Sequence, residues 1–196
     1  MTDPIEIYTQ EDFTVEIYLD PHPPNPRVDF SNLGRFCVTD WFNESLDPKD
    51  IMWQPEQSLK DHHGSPIPVL LPVYKYDHGG VALKTTPFSC PWDSGQIGWI
   101  YATQEDLKKC YLTQAVTPEI IETATQVLAA EVQQLSDYLN GQVFGYKIYQ
   151  GNELWDSCWG FYGGPDEAKD NALAEIRHYL GNTPATRTKT IQLLGA

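Results

Sequence analysis

Thr14, Glu16 and Tyr18 alternate with Val15, Ile17 and Leu19, the period-two mark of a half-buried strand, and Ile5–Tyr8 is a second short β-branched and aromatic run. Pro21, Pro23, Pro24 and Pro26 then hold the chain extended or turning. A turn at Asn32-Leu33-Gly34 leads into a strand at Arg35–Val38, and residues 40–67 read as a long polar loop with one helical turn. Pro68–Tyr76 predicts a strand, Asp77-His78-Gly79-Gly80 a tight turn, Val81–Thr86 a returning strand and Gln96–Tyr101 a third, together an antiparallel meander. Thr103-Gln104-Glu105-Asp106 is a helix start of the capping-box kind, for a short helix ending near Tyr111. Thr117 caps the strongest helix. Ile120, Ile121, Ala124, Val127, Leu128, Val132, Leu135 and Leu139 recur every three or four residues, and Gly141 stops it. Strands at Val143–Tyr149 and Leu154–Tyr162, a helix from Pro165 to about Leu180 and a loosely held tail at 183–196 complete the pattern.

Strands, then helices, then strands and a helix argue for an α+β fold: a mostly antiparallel sheet with two or three helices packed on one face. At 196 residues the chain is long enough for a single domain, expected over 1–182. Six Trp, eleven Tyr and seven Phe supply a large buriable surface. No apolar run reaches the length of a spanning helix, and no basic-then-apolar leader opens the sequence, so a soluble cytoplasmic protein is expected, with no membrane partner. In that setting Cys37, Cys90, Cys110 and Cys158 read as free thiols.

Charge changes the picture of partners. The net charge is −14, and residues 1–62 carry thirteen acids and four bases, a net of −9, against fourteen and nine, −5, in residues 63–196. That sign disfavours direct binding of a phosphate backbone and suits docking on a basic protein surface or imitation of nucleic-acid charge. Acidity that only keeps the protein in solution is the plainer explanation of the same charges.

Candidate chemistry gathers in Pro87–Tyr101 and Leu154–Gly164. Cys90 reads as a nucleophile with His78 as base and Asp93 or Asp156 as the orienting carboxylate, or as a small thiol in an aromatic cluster. About six extended residues separate His78 from the Cys90 loop, a span of roughly 20 Å that puts them at opposite sheet edges unless the loop folds back. Asp93-Ser94 and Asp156-Ser157-Cys158 read either as paired carboxylates beside a second thiol or as turns. His22, His62, His63 and His78 follow no metal-ligand spacing, so no metal is expected, and no motif calls for a cofactor. Trp92, Asp93, Trp155, Asp156, Trp159 and Tyr162 form a candidate binding set, with burial in the core as the other reading of the aromatics.

These residues carry a resemblance. Asn25-Pro26-Arg27 with Asn32-Leu33-Gly34, Leu71-Pro72-Val73-Tyr74 with Tyr76–Gly80, Thr86–Gly98 (TPFSCPWDSGQIG) and Asp156–Gly163 (DSCWGFYG) are similar to a family of uncharacterised proteins carried by bacteriophages, plasmids and other mobile elements. The likeness runs over about residues 14–164. It implies an accessory role in a mobile element and no particular reaction. The first functional expectation is a non-enzymatic acidic protein that binds and modulates a host protein, such as a nucleic-acid-binding defence component, by charge mimicry. The second is a small enzyme or ligand-binding module built on Cys90, His78, Asp93, Asp156 and Cys158.

Overall fold

The computed structural model describes residues 3–46 and 54–181, together with the backbone of Lys189–Thr190. The fold is α+β. Its strands divide between two antiparallel sheets rather than one, and its contacts between two compact units: Met1–Pro24 with Gly141–Ala196, the terminal unit, and Asn25–Asn140, the central unit.

In the terminal unit, β1 (Glu6–Gln10), β2 (Phe13–Leu19), β7 (Phe144–Gln150), β8 (Glu153–Phe161) and β9 (Lys189–Thr190) form a sheet of order β8-β7-β2-β1-β9. The alternation in β2 puts Phe13, Val15 and Ile17 on one face beside Phe144, Tyr146 and Ile148 of β7. Helix α4 (Pro165–Tyr179) covers that face with Ala168, Ala172, Leu173 and Ile176. The small alanines let the helix approach the sheet closely. Of the tail expected to be loose, Lys189–Thr190 pairs with Thr9 and Tyr8 of β1. The rest of 183–196 lies outside the described residues.

In the central unit, β3 (Arg35–Val38), β4 (Val69–Asp77), β5 (Val81–Lys84) and β6 (Ser94–Ala102) form a sheet of order β3-β6-β4-β5. The meander expected from the sequence is corrected here. β6 returns past β5 to pair with β4, so β4 is an inner strand. Pro72 is tolerated in it because β5 pairs only from Tyr74 onward, leaving β4 with one neighbour at Pro72. Gly98 sits in the left-handed half of backbone space, beside the irregularity between Val73 and Tyr74, and a Cβ there would lie 2.1 Å from the Cys37 carbonyl oxygen.

Helix α3 (Pro118–Leu139) packs its Ala124, Leu128, Val132 and Leu135 stripe on one face of this sheet, against Phe36, Val73, Leu83 and Ile100. Its Thr117 cap is as the sequence predicts, and so is the reciprocal capping box of Thr103 and Asp106 on α2 (Gln104–Cys110). The expected loop over 40–67 instead contains α1 (Pro55–His63), begun by Pro55 and closed by Gly64 in the left-handed conformation. Its one buried residue, Leu59, fills the opposite face of the sheet beside Cys37 and Tyr101. Helices thus lie on both faces of the central sheet, and Cys37 is the buried thiol of the chain's core.

Candidate functional site

The strand order brings the Cys90 cluster together. Because β6 starts beside the end of β4, the loop before it folds back, and Asp77 N donates to the Asp93 carbonyl at 2.9 Å. The expectation that His78 and Cys90 stand at opposite sheet edges is thereby corrected. Asp93 Oδ2 accepts from the Cys90 thiol at 3.5 Å and lies 3.5 Å from His78 Nδ1. Ser94 Oγ donates to the Cys90 carbonyl, which pins the turn. Phe88 packs on Tyr76 with ring centroids 5.6 Å apart, and Lys84 Nζ sits 4.1 Å above the Phe88 ring. The loop is built, not loose.

The order of groups is cysteine, carboxylate, histidine. A thiol nucleophile needs a base that takes its proton, with the carboxylate behind that base. Here the thiol's hydrogen bond goes to the carboxylate, and the imidazole, 70% exposed, faces the carboxylate's outer side. Geometry assembles the three residues without assembling a relay.

The same end of the central sheet holds two aromatic side chains in water. Trp92 is 92% exposed at the tip of the loop and Trp41 is 71% exposed just beyond β3. Between them runs a charged chain: Lys75 Nζ lies 3.0 Å from Asp40 Oδ2 and 3.2 Å from Asp77 Oδ2, and Asp77 joins Asp93 through the backbone. The Asp40 carboxylate holds the Lys75 ammonium above its ordinary pKa. Three carboxylates, one lysine and one histidine therefore surround two exposed indoles. Trp41 and Asp40 were not singled out in the sequence; an aromatic after a strand-ending Asp carries no signal until the strand order is known.

The other predicted residues lie in the terminal unit, on β8 and just after it. Trp155 is a core residue, its ring 5.2 Å from both Phe13 and Tyr179. Asp156 and Cys158 take register positions opposite Ile148 and Tyr146 of β7, and burial raises the Tyr146 pKa to about 12. Trp159 lies on the other face over Gly145, where a Cβ would come within 2.1 Å of its ring. With Asp20, Pro21, His22 and Pro24 it lines a shallow cleft of about 350 Å³. Tyr162 donates its hydroxyl to the Pro24 carbonyl. Of the candidate binding set, Trp92 and Asp93 stand at an open surface and Trp155 does not.

The Asn25-Pro26-Arg27 and Asn32-Leu33-Gly34 motifs turn out to be one polar knot. Arg27 Nε and Nη2 grip Glu44 at 2.7 and 2.6 Å, Nη1 reaches Glu131 on α3 and Asn32 at 2.8 and 2.7 Å, and Nη2 also meets the Gly34 carbonyl at 2.7 Å. Glu131 in turn accepts from the amides of Leu33 and Gly34. Burial opposes the Arg27 charge, but the two carboxylates outweigh it and raise its pKa. A second buried network links Tyr101 to Ser45 at 2.5 Å and to His63 Nε2 at 2.8 Å. Burial, then the neighbouring His62 and Arg35, lower the His63 pKa.

Among the described residues, no three His, Cys, Asp or Glu side chains are grouped to hold a metal ion, and no helix is long and apolar enough to cross a membrane. Comparison with known proteins finds no matching family model, no matching curated protein and no matching solved structure.

Proposed function

We propose that this chain is an acidic interaction protein, not an enzyme, which binds a basic surface of a host protein through the Trp41–Trp92 end of its central unit. The observation that carries the reading is Trp92, 92% exposed beside Asp93 on a loop held in place by hydrogen bonds and ring contacts. A large indole in water gains most when a partner covers it, and tryptophan is enriched among the residues that dominate binding energy. The carboxylates of Asp40, Asp77 and Asp93, together with a net charge of −14, favour a lysine- and arginine-rich partner and disfavour nucleic acid itself. The resemblance to proteins of mobile elements extends this to an accessory role, with a nucleic-acid-binding host protein as the target and charge mimicry as the means. Cytoplasmic action belongs to the same proposal. Affinity purification of the tagged chain from host lysate at low and high salt tests it. A stoichiometric basic protein released by salt supports it, and a chain recovered alone, or a partner indifferent to salt, removes it.

A second reading rests on the convergence of Cys90 and His78 on Asp93 Oδ2, which suits a small ligand-binding or catalytic module. It requires that Cys90→Ser and Asp93→Asn abolish binding of a small molecule while leaving partner capture intact. Loss of partner capture in both variants, with no ligand found, counts against it.

A further inference from the structure

A cleft of about 660 Å³ opens between the first turns of α1 and the central sheet, away from the residues of the Trp41–Trp92 end. Its floor is Pro66, Ile67, Leu70 and Trp99, and its rim is the start of α1, with Glu56 and Lys60. The size is that of a small-molecule site, and apolar walls with a few polar groups are its usual chemistry.

The polar groups here are unmatched in one direction. Trp99 Nε1 is buried and, among the described residues, is the one buried side-chain nitrogen or oxygen without a hydrogen-bond partner. An indole N–H can only donate, so it lacks an acceptor. The start of α1 has the same deficit: Gln54 at the cap makes no side-chain bond to it, and the first-turn amides of Glu56 and Gln57 meet no acceptor among the described residues. Lys60, one turn on, forms no ion pair there, not even with Glu56. Donors and one cation face an apolar floor, with a single carboxylate at the edge.

We infer that this cleft binds a flat, apolar small molecule carrying a carboxylate. Its ring lies on Ile67, Leu70 and the Trp99 indole, and its oxygens take the N–H of Trp99 and the free amides at the positive end of α1, with Lys60 alongside. The inference is independent of the proposed protein partner.

Three probes of nearly equal size separate the contributions: benzoate, acetophenone and ethylbenzene. The full chain is labelled with ¹⁵N, and its six indole N–H signals are followed, Trp99 being assigned from its loss in Trp99→Phe. Millimolar benzoate moves the Trp99 signal downfield with little effect on the other five, acetophenone does so more weakly, and ethylbenzene does not. Lys60→Gln, a surface change that leaves the fold alone, weakens benzoate binding about 2- to 5-fold, the range of one exposed charge contact. Retention of the other five signals in Trp99→Phe shows that the variant is folded, and benzoate then binds it weakly. No movement of the Trp99 signal, equal effects of ethylbenzene and benzoate, or unchanged affinity in Lys60→Gln overturns the inference.

Discussion

Arg27 spends all of its donor geometry in one place. Five hydrogen bonds to Glu44, Glu131, Asn32 and the Gly34 carbonyl use the fork that only a guanidinium offers. Removing it leaves Glu131 buried and without its cation. Arg27→Ala is therefore expected to destabilise the central unit by about 3–5 kcal/mol, and Arg27→Lys to recover only a minor part, as read by urea unfolding. Trp92 has the opposite profile. With almost no contact to lose, Trp92→Ala should change stability by less than about 0.5 kcal/mol while weakening partner binding by about 2 kcal/mol or more. His63 adds a pH effect. Its folded pKa lies below the unfolded value near 6.5, so the neutral form is favoured in the fold. The stabilisation is complete above about pH 6.5 and is lost as pH falls below it. His62, Arg35 and Asp106 face the same imidazole, with Tyr101 bonded to it. Unfolding curves at pH 7.5 and about 5.5 should show a drop that His63→Gln reduces; an equal drop in that variant places the effect elsewhere.

At the scale of elements, what the sequence discloses depends on whether the signal is local. Helix α3 was legible because its apolar stripe and Thr117 cap lie within one continuous stretch, and β2 because Val15 and Ile17 alternate with polar neighbours. Helix α1 was not, since Leu59 alone is buried and one residue makes no period. Leu59→Ala should consequently cost about 2–5 kcal/mol and release α1 from the sheet, seen as faster amide exchange over Pro55–His63. Pairing order was hidden too. Nothing in Val81–Lys84 says that β6 will pass it and pair with β4, yet that choice decides whether Cys90 and His78 meet. Arg27 and Glu131 are 104 positions apart, and no spacing rule links them.

At the scale of the molecule, two small units each carry their own sheet and core, and acid exceeds base in the whole chain by fourteen charges. Charge of that size acts on encounter more than on the fold: it speeds approach to a basic surface and repels phosphate. It does not choose a partner by itself. Choice falls to local features, and Trp92 beside Asp93, with Trp41 beside Asp40, is where exposed aromatic surface and carboxylates coincide in the central unit. The Pro87–Gly98 block, the stretch most specific to the mobile-element resemblance, has two jobs in this account. Gly98, Ser94 and Phe88 build the turn, and Trp92 and Asp93 are presented by it.

The measurement closest to that claim compares capture of host proteins by the wild-type chain, by Trp92→Ala and by Trp159→Ala, each at low and high salt. The account predicts a basic protein held by the wild type and by Trp159→Ala at low salt, released at high salt, and missing from Trp92→Ala although that variant unfolds at the wild-type midpoint. A partner retained by Trp92→Ala, or retained through high salt, contradicts it.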